Sequence, residues 1–251
     1  MDPILEQNKK AWNIAAKHFY GGGVLPSWGA LGEGSNNPEI IGEIQRKTFL
    51  EIACGSGHSI QYLLSKGAEK VYGIDISDEQ IKFADELNKS SIKEGKVELF
   101  CVPMEDKISI SAESIDTVFS VYGIGWAQNL EKTLTNIYSY LKPGGKLVFS
   151  FENPIFTRAL VDKNTGEFSF IGSPYEDFEK LREEWFGTSA FIKYRLPSTW
   201  IRECLKAGFK LHDYFDPKPV AIDTKENDLI EYYSRLRVDA IAPIFIMIFE
   251  K

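Results

Sequence analysis

The stretch "KTFLEIACGSGHS", residues 47–59, decides the fold. Residues 47–53 are mostly apolar and alternate poorly, as expected of a strand covered on both faces in a parallel sheet. Gly55 and Gly57 then let the backbone turn sharply and come close to a ligand with no Cβ in the way, while His58 and Ser59 open the next helix. Strand, glycine loop and helix together make a cofactor cradle inside an α/β domain. An ordinary βα turn could carry the same letters, so the flanking sequence has to decide.

The next predicted strand, residues 70–74, ends in Asp75, at the distance where nucleotide-binding folds place an acid to accept both ribose hydroxyls. Ser77 or Asp78 can cap the helix beginning near Glu79, which frees Asp75 for a ligand. A dinucleotide fold would want a third glycine at position 60, and Ile60 stands there. Glu51 inside the strand would repel a pyrophosphate but suits a cationic amino group, directly or through water. Nicotinamide is therefore disfavoured, and the ligand these residues suit is zwitterionic.

Residues 51–57, Glu-Ile-Ala-Cys-Gly-Ser-Gly, resemble the first motif of class I S-adenosylmethionine-dependent methyltransferases, and residues 73–77, Gly-Ile-Asp-Ile-Ser, resemble the second. "VELFCVPMEDKIS", "SIDTVFSVYGIGW" and "LKPGGKLVFSFENP" resemble the third, fourth and fifth strand segments, in order. The likeness is to small-molecule members such as the ubiquinone and menaquinone biosynthesis enzymes. It implies a doubly wound, Rossmann-like, seven-stranded, mostly parallel sheet with a reversed final strand, an N-terminal helix and lid, and S-adenosylmethionine as cofactor. It further implies a cofactor set of Tyr20, Glu51, Ala53, Gly55, Gly57, Asp75, Ile76, Met104, Glu105 and Ser120, with Asp75 on the ribose and Met104 and Glu105 bordering the adenine. In one departure, Pro103 stands where many relatives have Asp, so the adenine amino group must be met by Glu105, a backbone carbonyl or water.

A chain of 251 residues can bury one large core, and it reads as a single methyltransferase domain: N-terminal helix and lid loop (1–46), cofactor-binding core (47–151), inserted cap (152–196) and C-terminal helices and strands (197–251). The net charge of -7 argues against a broad phosphate-binding face, so no nucleic-acid partner is expected. Cys54, Cys101 and Cys204 have no metal-ligand spacing and read as free thiols of a reducing compartment, with no metal. The N-terminus lacks the apolar core of a signal peptide, and "AIAPIFIMIF" is too short to span a bilayer. A cytoplasmic protein is expected, and nothing in these patterns encodes its oligomeric state.

Apolar residues at Ile4, Leu5, Trp12, Ala15 and Phe19 predict a helix, with Trp12 and Phe19 in the core, before a glycine-rich, mobile loop "GGGVLPSWGALGEG". In related enzymes this segment lies across the cofactor, which would bring Tyr20, Trp28 and His18 near the methyl group. Residues 152–195 hold many aromatics and predict a cap over the open end of the sheet, while "FKLHDYF" and "PIFIMIFE" predict a closing antiparallel pair. The sulfonium is already activated, so methyl transfer mainly needs an aligned acceptor in a dry pocket. Trp28, Tyr122 and Trp126 are the expected pocket walls. If the acceptor must lose a proton, the base candidates are Glu152, His18 and Tyr122, with no base at all equally open. The expected reaction is methylation of a small molecule; the rivals are a tRNA, rRNA or protein methyltransferase and a nonenzymatic binder.

Overall fold

The computed structural model describes residues 2–162, 164–220 and 232–251; Lys163 of the predicted cap and residues 221–231 of the C-terminal segment lie outside the described residues. The chain opens with α1 (Pro3–Ala15), whose start is set by Asp2 accepting from the Ile4 N–H and by Pro3 in the first turn. An alternating α/β run follows: β1 (Thr48–Ile52), α2 (His58–Ser65), β2 (Lys70–Asp75), α3 (Asp78–Lys93), β3 (Val97–Cys101), β4 (Ile115–Val121), α4 (Leu130–Tyr140) and β5 (Leu141–Glu152). The cap region contributes α5 (Pro154–Arg158), β6 (Ala159–Val161), β7 (Phe168–Phe170), β8 (Phe178–Trp185) and β9 (Thr188–Tyr194). After α6 (Pro197–Lys206) and β10 (Lys210–Phe215), α7 (Arg235–Ala240) and β11 (Ile244–Glu250) close the chain.

The main sheet has seven strands in the order β10-β11-β5-β4-β1-β2-β3. Pairings among β1 to β5 are parallel, and β11 runs antiparallel to both β5 and β10, as the predicted strand pair requires. The reversal at β4 and β1, from which the chain winds outward both ways, opens a crevice beyond the strands' carboxyl ends. Apolar runs such as "TFLEI" are buried on both faces, with Phe49 and Leu50 inaccessible to solvent, which is why these strands lack alternation. One core, around Phe149, Trp200 and Phe249, lies under α4 and α6. The other, around Phe49, Ile60 and Phe119, lies on the opposite face.

Two expectations need correction here. The stretch read as a mobile loop is packed: Leu25 and Trp28 are buried, and positive φ at Gly21, Gly23, Gly32 and Gly34 folds it into successive turns. Trp28 sits edge-on to Phe119, buried within the second core, and is therefore a packing residue rather than a pocket wall. Gly57 also has a structural task. It starts α2 with φ +76, and an added Cβ would lie 2.7 Å from Asn88 Nδ2 and 2.9 Å from Ala84 Cβ on α3. Gly57→Ala should therefore cost about 2 kcal/mol of stability through strain and overpacking; chemical denaturation measures this, and an unchanged midpoint would contradict the packing argument.

The cap is built from two hairpins, β6–β7 and β8–β9. α1 docks against the edge of β9 through the Asn8 amide, which donates to the Phe191 carbonyl (2.9 Å) and accepts from the Phe191 N–H (2.8 Å), mimicking a neighbouring strand. The same helix reaches α3, where Asn13 Oδ1 accepts from the Ser77 hydroxyl at 2.7 Å and Lys9 pairs with Asp78 at 2.9 Å. α1 thus bridges the cap and the cofactor-side helix, spanning the crevice between them.

Candidate active site

Beneath α1 and the β8–β9 hairpin lies a cavity of about 940 Å³, at the carboxyl ends of β1, β2, β4 and β5. One half is made by the glycine loop and the ends of β2 and β3: Glu51, Ala53, Gly55, Asp75, Ile76, Met104 and Glu105 all line it. Gly55 has φ +52, and a Cβ built there meets nothing closer than Gln80 Oε1 at 3.9 Å, so the space above it is open. Asp75 is held rigidly, its two oxygens accepting from the N–H groups of Gly55 and Ser77, both at 2.9 Å. Burial pushes its carboxyl up to about 6, against the opposing pull of those backbone donors.

Glu51 is buried, and its Oε2 has no hydrogen-bond partner among the described residues. Burial pushes its carboxyl well above the ordinary range, with the Asp75 charge adding to the effect and a Ser59 hydrogen bond opposing it. A buried, orphaned carboxylate oxygen facing a cavity is costly unless a cationic donor satisfies it, and the ammonium of S-adenosylmethionine is such a donor. Glu105 Oε1 accepts from the backbone N–H of Gln128 (2.7 Å) and of Asn129 (3.4 Å), so it also fixes the entry to α4.

Several other expected residues stand apart. Ser120 is fully buried and donates to the Ile52 carbonyl at 2.8 Å, tying β4 to β1 beneath the cavity. Tyr20 is half exposed and packs edge-on against His58 and Phe83, outside the cavity lining. His18 is exposed and lies against Phe19 and Phe186, also outside the lining. Trp12 and Phe19, read as core, instead roof the cavity: Trp12 meets Trp126 and Trp185 edge-on at 5.1 and 4.8 Å, and Phe19 stacks on Trp185 at 5.8 Å.

The second half of the cavity is lined by Tyr122, Trp126, Phe151, Glu152 and Ile192, together with Lys180, Arg182, Tyr232 and Tyr233. Tyr122 occupies φ +60 at the end of β4, and its hydroxyl lies 3.2 Å from that of Tyr233. A non-glycine residue held in this region is strained, and such strain persists where surrounding packing aims a side chain. Glu152 Oε2 accepts from Arg182 Nη2 at 3.2 Å, and the same nitrogen contacts the Tyr194 hydroxyl. Tyr122, Trp126 and Glu152 were legible beforehand because they follow parallel strands. Lys180 and Arg182 were missed; their signal is the two-residue alternation of "KLREEW" on β8, which turns Lys180, Arg182 and Glu184 to the cavity. Tyr232 and Tyr233 carry no motif at all.

A family model described as a methyltransferase domain matches residues 50–149, the segment that supplies the cradle. Residues 50–149 thus carry a methyltransferase domain similar to those of class I S-adenosylmethionine-dependent methyltransferases. The domain is that of an enzyme, with S-adenosylmethionine as its cofactor. The methyltransferase is 34% identical over 146 residues to the malonyl-[acyl-carrier protein] O-methyltransferase of Priestia megaterium, covering 55% of this chain and 51% of that one. It is 24% identical over 222 residues to the tRNA U34 carboxymethyltransferase of Idiomarina loihiensis, covering 87% of this chain and 62% of that one. It thus spans between half and two thirds of the length of these two relatives. An S-adenosylmethionine-dependent methyltransferase structure from Mesorhizobium loti shares the methyltransferase's fold with a TM-score of 0.66 at 18% identity, over 83% of this chain and 93% of that one. Among the described residues no helix is long and apolar enough to cross a membrane, and no cluster of metal-ligating side chains is present.

Proposed function

We propose that the enzyme methylates a small, partly apolar metabolite enclosed beside the cofactor. The observation that carries this reading is the single roofed cavity in which a cofactor cradle and a second, aromatic half are continuous. In this reading Glu51 takes the cofactor's ammonium group, Asp75 the ribose hydroxyls, and Met104 and Glu105 flank the adenine. The sulfonium supplies an activated methyl group. The chain's own residues then act by position: Tyr122 and Trp126 wall the acceptor, and the Trp12, Phe19 and Trp185 roof keeps water out. Glu152 is the remaining base candidate that faces the cavity, and an acceptor that already presents a lone pair needs none. A reducing cytoplasmic setting fits the three free cysteines, two of them buried.

Mass spectrometry of a metabolite extract incubated with pure enzyme and S-adenosylmethionine tests the proposal. A small molecule should gain a methyl group, and Trp126→Ala should abolish that gain while cofactor binding survives. The competing reading, RNA methylation, draws support from the similarity to the tRNA U34 carboxymethyltransferase. Efficient methylation of bulk tRNA, with a steep salt dependence and no small acceptor, would replace the small-molecule reading with that one.

Asp75 gives the site a pH signature. Its folded-state value of about 6 lies above the ordinary 3.8, so the folded protein holds this proton more tightly than the unfolded chain. The group's contribution to stability therefore falls as pH rises between 3.8 and about 6. The ionised form, which accepts best from ribose hydroxyls, grows over the same window. S-adenosylhomocysteine affinity should accordingly rise between pH 5 and 7, and its stabilising effect with it. Calorimetry at several pH values measures this; affinity independent of pH across that range would contradict the role given to Asp75.

A further inference from the structure

The second half of the cavity is unusually rich in cations for an acidic chain. Lys180 and Arg182 project from one face of β8 into it, two residues apart. Behind the wall lie two more guanidinium groups, both buried. Arg237 stacks on Phe156 and on Tyr232, with ring centroids at 4.4 and 4.8 Å, and donates to the Phe156 carbonyl. Arg158 stacks on Phe178 at 4.2 Å and donates to the Glu176 carbonyl at 2.7 Å. Arg237 Nε and Arg158 Nη1 have no hydrogen-bond partner among the described residues.

Among the described residues two buried carboxylates stand against these four cations: Glu152, whose pair with Arg182 neutralises a single charge, and Glu33, which is close enough to act on Tyr122 and Tyr233. Glu184 also lines the cavity, but it is exposed and lies further along β8, beside Trp185 of the roof. Lys180 has no ion-pair partner among the described residues. Partial desolvation and the like charge of Arg182, opposed by Glu152 and joined by a smaller push from Arg237, leave its ammonium below the ordinary value. Gathering like charges around a partly dry cavity is unfavourable unless something anionic completes it. The hydroxyls of Tyr122, Tyr232 and Tyr233 add neutral donors around the same space.

Building on the enclosed-acceptor reading, we propose that the acceptor carries an anionic group, a carboxylate or a phosphate, held by Lys180 and Arg182 where β8 closes the second half of the cavity. The aromatic walls take the apolar remainder, and the anion orients it toward the methyl donor. Glu152 then serves first to hold Arg182 in place.

The test uses wild-type enzyme saturated with S-adenosylhomocysteine and titrated calorimetrically, at constant ionic strength, with benzoate, benzamide and inorganic phosphate. Benzoate or phosphate should bind at least about tenfold more tightly than benzamide, and whichever anion binds better identifies the class. Lys180→Gln, a change at the exposed mouth that leaves the Glu152–Arg182 pair intact, should weaken anion binding by roughly fivefold or more without altering affinity for S-adenosylhomocysteine. Benzamide binding as tightly as either anion, no anion binding, or anion binding unchanged in Lys180→Gln would each overturn the proposal. The failures separate cleanly: loss of S-adenosylhomocysteine binding by the wild type would strike the cofactor assignment, and methylation of a polymer would strike the enclosed acceptor.

Discussion

Gly55→Val should abolish measurable binding of S-adenosylmethionine, a loss of at least about a hundredfold, or roughly 3 kcal/mol. Two effects combine. The backbone at Gly55 has φ +52, a conformation in which a β-branched residue is strained, so the loop must shift or store that strain. The added side chain also points into open cavity, with the nearest protein atom 3.9 Å from its Cβ, and so occupies ligand space without crowding the protein. The variant should therefore fold with a modest stability loss while failing to bind. Gly55→Ala separates the two effects, because it keeps most of the backbone strain and intrudes less. Calorimetry with S-adenosylhomocysteine reads the outcome; a folded valine variant within threefold of wild-type affinity would remove the glycine loop from the cofactor site.

Asp75→Ala should weaken cofactor binding by more than tenfold, from loss of charge-assisted hydrogen bonds worth on the order of 2 kcal/mol in a buried site. Part of that loss is indirect. Asp75 also accepts from Gly55 and Ser77, so alanine releases the loop the cofactor rests on. Asp75→Asn retains one acceptor oxygen and should fall between wild type and alanine. It should also erase the pH dependence, because an amide does not titrate in this range. Unchanged affinity in folded Asp75→Ala would contradict the ribose assignment.

How much of this was legible beforehand depends on how local each signal is. The glycine loop and the acid at the end of β2 are consequences of neighbouring residues, and both Gly55 and Asp75 line the cavity as their motifs implied. Tyr122 and Glu152 were found by the rule that parallel strands gather a site at their carboxyl ends. Trp28 was misassigned because glycine density signals turns but not whether the turns pack; here the loop packs Leu25 and Trp28 into the core on one face of the sheet. His18 and Tyr20 flank Phe19 in the segment after α1, and Phe19 lines the cavity while its two neighbours do not. The alternation in β8 puts Lys180 and Arg182 on one face, but that this face meets the cavity depends on a long-range event, the folding of β8 back over the sheet. Gly57 shows the opposite confusion: a motif glycine that reads as ligand clearance is occupied with helix packing against Ala84 and Asn88.

The central claim is that one cavity, floored by residues 51–57 and 75–76 and roofed by α1 and the β8–β9 hairpin, holds the cofactor. Hydrogen–deuterium exchange with and without S-adenosylhomocysteine tests it most directly. Exchange should slow in the floor segments and, in the same titration, in residues 22–24, in α1 and at the Trp185–Phe186 turn, all of which contribute to the cavity lining. Protection confined to the floor, or appearing on elements remote from the cavity, would contradict the roofed site.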